Sequence, residues 1–471
     1  MSTKQLLTQV KTKIFSNKMM RNGVLCVVGY IVNKSIAFLM TPIFTRIMSP
    51  EEYGNVSTYT AWLGVLAYVV GLSLDYTVRN AYVDYKDDLD GYVSSLYGLS
   101  MVSFICLSVI LFLVNKFVLK QSSDLLCIFC LVHAFFYAIV HDMMQKCTMQ
   151  GKYKARVALL ALPNILSSLA GVIFVICMEK DKHIGRIIGY LVVFIPIGIA
   201  LIVFQRFKGK RFYNKTYWKY GLVLSLPMIF HGLSVTALSS VNRIFITNFR
   251  GAAETAVYGV VATFSMMMIA IMTAIENIWI PWFTDKMEEK KFEEINSKVI
   301  KYIELIAVVV AGVLMVSPEL LKIMTPESYW HGQYILAPMV VASYVMFLYS
   351  LSVGLELYYK SNKIVALNTV VAVLVNIVLG VIFIPLAGMH AAAYIMLASY
   401  LVLFVLHIIN AKKLNSAVFP MKSYLLPSAF VIGLAVLSVL TAELWYLRWA
   451  LAAIIAIAYM YIFLTKEMKK E

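Results

Sequence analysis

Charge is scarce in this chain. Asp, Glu, Lys and Arg supply 14% of its 471 residues, against about 25% in an ordinary soluble domain. That shortage excludes a water-facing globular surface of the usual kind. Long polar segments are missing as well: no stretch between the apolar runs is long enough to fold on its own. The sequence lacks a G-x-x-x-x-G-K-[ST] phosphate loop, which argues against direct nucleotide hydrolysis. Cysteines number six, each in or beside an apolar run. Cys127-x-x-Cys130 followed by His133 has ligand-like spacing, but no second pair accompanies it. Small packing residues are the simpler reading, and neither metal nor cofactor is expected.

Apolar residues make up 61% of the chain, and they are gathered into fourteen runs. These fall at about 23–45, 55–78, 92–115, 124–146, 157–178, 184–205, 220–248, 255–283, 299–317, 332–358, 364–385, 389–410, 424–441 and 445–465. A bilayer-spanning helix needs about twenty such residues, so the pattern predicts an all-α integral membrane protein with about 14 transmembrane helices.

An even number of spans puts both termini on one side, and loop charge decides which. Of the 41 Lys and Arg residues, 29 fall in the termini and the loops on their face, nine in the opposite loops, and Lys34, Arg79 and Arg243 in or at the ends of spans. Both termini are therefore expected in the cytoplasm. The net charge of +16 is largely this bias, so no nucleic acid partner is implied. Residues 1–21, with five basic residues among apolar ones, read as an amphipathic helix on the cytoplasmic leaflet.

A repeat lies inside the pattern. The first run ends Thr41-Pro-Ile-Phe-Thr-Arg46, followed by Tyr53-Gly54. The seventh ends Asn242-Arg-Ile-Phe-Ile-Thr247, followed by Tyr258-Gly259, with four more residues between the landmarks. Runs one and seven begin two six-helix halves of the same orientation, joined by the basic linker Arg206–Lys219. Parallel repeats of this kind build transporters with a path between lobes. The expected organisation is an N-terminal lobe (1–212), a C-terminal lobe (213–412), and two extra helices with a tail (413–471).

Ionisable groups inside spans cost about 2.5–3.5 kcal/mol each on insertion scales, so each asks for a reason. Lys34 stands about eleven residues into the first span, near mid-membrane, too deep to snorkel easily; a cavity-facing role is favoured. Arg46 and Arg243 occupy matching outer positions of the repeat. Asp75 and Arg79, four apart on one face, fit an internal salt bridge as well as a substrate contact. Glu276 and Glu356 could neutralise an arginine, carry a proton or contact a bound cation; pairing from lobe to lobe ranks first. His133, His141 and His231 are read as hydrogen-bonded structural histidines. The unpaired intramembrane charge is thus positive, at Lys34, Arg46, Arg79 and Arg243, and suits an anionic substrate.

Leu39–Val56, Gly71–Tyr82, Asn242–Val260 and Leu367–Ser399 (an Asn-rich helix, an Ile-Pro turn and a Gly/Ala-rich return) resemble the Wzx-type polysaccharide flippases of the multidrug/oligosaccharidyl-lipid/polysaccharide (MOP) exporter superfamily. The resemblance covers nearly the whole chain. It departs at Leu386–His390, where a Tyr-Gly and a second glycine are more usual, so this turn is expected to be built differently.

The resemblance implies a flippase, not an enzyme. It would carry an undecaprenyl-pyrophosphate-linked oligosaccharide across a bacterial cytoplasmic membrane for O-antigen, capsule or another surface polysaccharide. Its partners would be membrane lipid and possible polymerase and assembly proteins. The alternatives are an ion-coupled drug or metabolite antiporter of the same superfamily and a peptidoglycan-precursor flippase. The antiporter would carry a coupling carboxylate in its first helix, where this chain has Lys34. A membrane polymerase or ligase ranks lower, because the external loops are short and poor in Arg and His.

Overall fold

The computed structural model describes residues 18–114 and 124–468. Most of the expected amphipathic segment, residues 1–17, lies outside them. Fourteen helices and no strands occur among the described residues. They are α1 Lys18–Ile47, α2 Pro50–Val70, α3 Asp75–Asp84, α4 Leu89–Val114, α5 Asp124–Met149, α6 Tyr153–Cys177 and α7 Lys182–Gly209. The second half holds α8 Lys215–Arg250, α9 Ala252–Glu288, α10 Phe292–Met324, α11 Gln333–Tyr358, α12 Asn362–Leu414, α13 Lys422–Leu440 and α14 Trp445–Met468.

Spans and helices do not correspond one to one. Helices α2 and α3 together form the second span, broken at 71–74, where Leu72 and Ser73 hold φ of 53° and 50°. This left-handed region is costly for residues with a side chain. Conversely, α12 has 53 residues, about 80 Å at 1.5 Å per residue, far more than one bilayer crossing. It contains the eleventh and twelfth spans, parted by Gly388 at φ 54° and ψ −131°. A side chain at Gly388 would strike the Glu254 carboxylate. That carboxylate accepts the Met389 N–H at 2.8 Å, supplying the acceptor that the restarting helix needs. The unusual Leu386–His390 stretch is therefore a glycine kink capped by another helix.

The chain forms two compact units, one from Met1–Met40 and Trp62–Leu233, the other from Thr41–Ala61 and Ser234–Glu471. This partition cuts the sequence at other places than the charge pattern does: residues 41–61 join the second unit and 213–233 the first.

Helices α4, α5 and α6 all pack on α7 in the first unit, with Val140, Met144 and Phe194 at the α5–α7 contact. In the second unit α11 is the enclosed helix, buried continuously from Ile335 to Val345 and packed on α9, α10 and α12. Helix α10 turns Ile295, Val299, Ile303, Ile306, Val310 and Leu314 inward at spacings of three and four. It packs on α13 and α14. Lipid is as apolar as these side chains, so close fit holds such helices together. The repeat's Tyr-Gly landmarks mark one such contact. A Cβ at Gly54 would enter the Ala252 carbonyl, and one at Gly259 would press on Ser57. Glycine in each half thus lets the start of α2 touch the start of α9.

Candidate functional site

Arg243 sits in the last turns of α8, just before Gly251 (φ 104°) ends the helix. Its guanidinium is half-buried. The contacts it makes are long: Nη1 donates to Thr60 Oγ1 at 3.4 Å and Nη2 to Ser240 Oγ at 3.3 Å. Its Nε is buried with no acceptor. Nearby, Thr247 Oγ1 shares hydrogen bonds with the hydroxyls of Thr58 and Thr255. No carboxylate pairs with Arg243 among the described residues. A hydroxyl-lined cation without a counter-ion can accept an oxyanion without first breaking an ion pair.

Arg46, its counterpart in the repeat, is engaged elsewhere. It donates to the Met324 and Ile323 carbonyls, both at 2.8 Å, and to Pro42 O at 2.9 Å. It therefore caps the C-terminus of α10, where carbonyls lack helical partners and the dipole favours a cation. Sequence symmetry could not reveal this, because the capped carbonyls lie some 280 residues away.

Glu356 departs from the lobe-to-lobe pairing expected of it. Glu356 on α11 is fully buried and bonded within its own unit, to His407 Nδ1 at 2.7 Å and Asn410 Nδ2 at 2.6 Å. Both partners stand on the second limb of α12, one turn apart, so they reach the two oxygens of one carboxylate. Glu356 is a charge partner, but its partner is a histidine. Glu276 on α9 is half-buried and forms no ion pair among the described residues.

In the first unit Asp75 and Arg79 also remain apart. Helix α3 begins at Asp75, so its carboxylate lies by the free N–H groups of that terminus. Arg79 is exposed, with no ion pair among the described residues. The backbone of Lys34 is helical within α1, but its side chain lies outside the described residues.

Several buried charges fall at span ends, where sequence alone reads them as loop residues. Lys146 on α5 is 3% exposed and bonds Asp90 and Gln205, the latter at 2.6 Å. This cluster ties α4, α5 and α7 together. Arg186 on α7 donates to Ser167 O at 2.6 Å and lies over the Tyr190 ring, 4.0 Å from its centroid. Fully buried Arg448 pairs with Glu319, joining α14 to α10. His133 packs against the rings of Tyr190 and Phe194.

The helices and their lengths define the class, an all-α protein with many helices long and apolar enough to cross a membrane. Residues 19–287, more than half of the chain, match the family described as polysaccharide biosynthesis protein, and the chain belongs to that family. Its fold is similar to that of lipid II flippase MurJ in an inward closed conformation, with TM-score 0.72 and 14% identity over 96% of this chain and 99% of that one. It is also similar to an inward-facing multidrug resistance MATE family transporter, with TM-score 0.61 and 12% identity over 81% of this chain and 96% of that one. An uncharacterized membrane protein of Haemophilus influenzae is 22% identical over 355 residues, 72% of this chain and 82% of that protein.

Proposed function

We propose that the chain is a flippase moving an undecaprenyl-pyrophosphate-linked oligosaccharide from the cytoplasmic to the outer leaflet, for export of a cell-surface polysaccharide. The observation that carries this reading is Arg243, an intramembrane guanidinium held by two long hydroxyl contacts and, among the described residues, by no carboxylate. Its planar fork suits a phosphate oxygen pair. Lys34 and Arg79 would extend the cationic path; Arg46 is left out, its donors being used on α10. Family membership supports a saccharide, and the likeness to a lipid II flippase supports a lipid-linked one. In this reading the membrane is the bacterial cytoplasmic membrane and both termini are cytoplasmic. The lipid tail stays in the bilayer while alternating access moves the head group. With the cytoplasm negative, an anion moving outward gains about 2.3 kcal/mol per charge per 100 mV crossed, so no nucleotide is needed.

The likeness to a MATE transporter supports a second reading, an ion-coupled multidrug or metabolite antiporter. Leaflet accessibility of a fluorescent undecaprenyl-pyrophosphate oligosaccharide in proteoliposomes separates the two. Transfer by wild type, lost in Lys34→Ala and Arg243→Ala, is the expected result. No transfer, with uptake of a cationic dye under an ion gradient, would give the antiporter reading precedence.

A further inference from the structure

Asp142 lies on α5, one turn from Lys146, and is 2% exposed. Its Oδ2 has no hydrogen-bond partner. Helices α4 and α5 run antiparallel, and two contacts fix their register: Asp90 meets Lys146, and Tyr97 donates to the Ile139 carbonyl. Counting inward from both contacts places Ser94 level with Asp142, with its side chain packed toward Gly209 of α7. Ser94 Oγ is itself buried and without a partner. The third wall is α3, which packs on α5 after Gly71 has passed directly against Ala138. Its first residue is Asp75, whose charge acts on both Tyr137 and Asp142 of α5. Asp142 of α5 and Asp75 of α3 therefore converge where these two helices meet.

Among the described residues, no cation pairs with either carboxylate. Lys146 is committed to Asp90 and Gln205. Arg79 is exposed, and Arg156 on α6 acts on His141. The other titratable groups facing the site are Tyr76 of α3, Tyr92 and Tyr97 of α4, and Tyr137 and His141 of α5. None of these brings a positive charge to it. Two adjacent carboxylates in a medium of low polarity cannot both remain ionised, and a shared proton is the smallest ligand that relieves them. A metal ion would want more oxygen donors than this corner supplies.

We propose that Asp142 and Asp75 form a proton-binding pair in the first unit, holding one proton at neutral pH. The proton comes from water and returns to water; no other bond changes. Its use as the coupling ion of transport rests on the function proposed above, but the site does not.

Infrared spectra of the full-length protein in lipid, without substrate, read the site directly. Wild type at neutral pH should show a protonated-carboxyl band that moves when aspartate carries a 13C carboxyl label and disappears in Asp142→Asn. In Asp75→Asn the band should persist but be lost at lower pH than in wild type, since the neighbouring negative charge that favours the proton is gone. The labelled wild type keeps the test decisive should Asp142→Asn fail to fold. Absence of a label-sensitive band in wild type would overturn the proposal, as would an unchanged titration in Asp75→Asn. A band present in choline chloride but abolished by sodium chloride would replace the proton with a sodium ion. Because no transport is measured, none of these outcomes depends on the flippase reading.

Discussion

Lys146 and Arg243 are both cations set into membrane helices, and the two units treat them in opposite ways. In the first unit Lys146 is closed off by a carboxylate and an amide from two other helices. Among the described residues Arg243, in the second unit, meets only hydroxyls at 3.3–3.4 Å and keeps an orphan Nε. Burying a charge is costly unless it is paired and hydrogen-bonded. The closed cation can be read as structure. The open one, with no compensating carboxylate among the described residues, suits a partner from outside the chain.

That contrast should break most visibly at Lys146. Replacing it with methionine leaves Asp90 and Gln205 facing a gap, and loss of a buried ion-pair partner costs about 3–5 kcal/mol. Asp90 is 40% exposed, so water will screen part of this, and about 2–3 kcal/mol is expected. Thermal unfolding in detergent or lipid should show it, with Lys146→Met/Asp90→Leu recovering part of the loss. If the single variant unfolds as wild type does, the cluster is not structural.

Arg243→Ala should do the reverse, costing transport and sparing stability. A hydrogen bond to a charged group contributes about 1.5–3 kcal/mol, equivalent to a fall of roughly ten- to a hundredfold in transfer rate. Arg243→Lys should fall between, since an ammonium keeps the charge and loses the fork. Parallel assays of flipping and unfolding would expose a merely structural role, because both readouts would then drop together.

Arg46 offers a milder comparison with its repeat mate. Its alanine variant should lower stability by about 1 kcal/mol, the scale of a helix-end cation and its hydrogen bonds, while leaving substrate affinity unchanged. A selective loss of affinity with normal unfolding would return Arg46 to the substrate path.

The smallest effect concerns an exposed group. Hydrogen bonds from Lys286 and Lys291 hold the Glu289 carboxyl down at about 2. The pair's stabilisation is therefore present above the ordinary glutamate range and lost only as pH falls from there through about 2. In water such pairs contribute little. Wild type and Glu289→Gln should unfold alike from pH 5 to 8; a clear difference in that window would show that the loop after α9 matters more than this.

Much of the fold was legible because hydropathy is local: each apolar run became a helix or a helix segment, and the Tyr-Gly repeat marked a real helix contact. The glycine at 388 was visible, but not Glu254, which caps the restarting helix from 135 residues away. The site was less legible for the same physical reason. Sequence shows that a charge is in a span, not which carbonyls or carboxylates fold back onto it. Glu356 acquires His407 from 51 residues away, and Arg46 acquires the end of α10. Arg243 was picked out by its repeat position, but its lack of a counter-ion could be seen only once its neighbours were known.

The central claim is that Arg243 is open for an anion. Its most direct test is equilibrium binding of undecaprenyl-pyrophosphate oligosaccharide to wild type and Arg243→Ala in nanodiscs, beside an uncharged polyprenol glycoside of the same length. The variant should bind the pyrophosphate lipid at least about tenfold more weakly and the neutral lipid equally well. Equal affinity of both proteins for the pyrophosphate lipid would contradict the account.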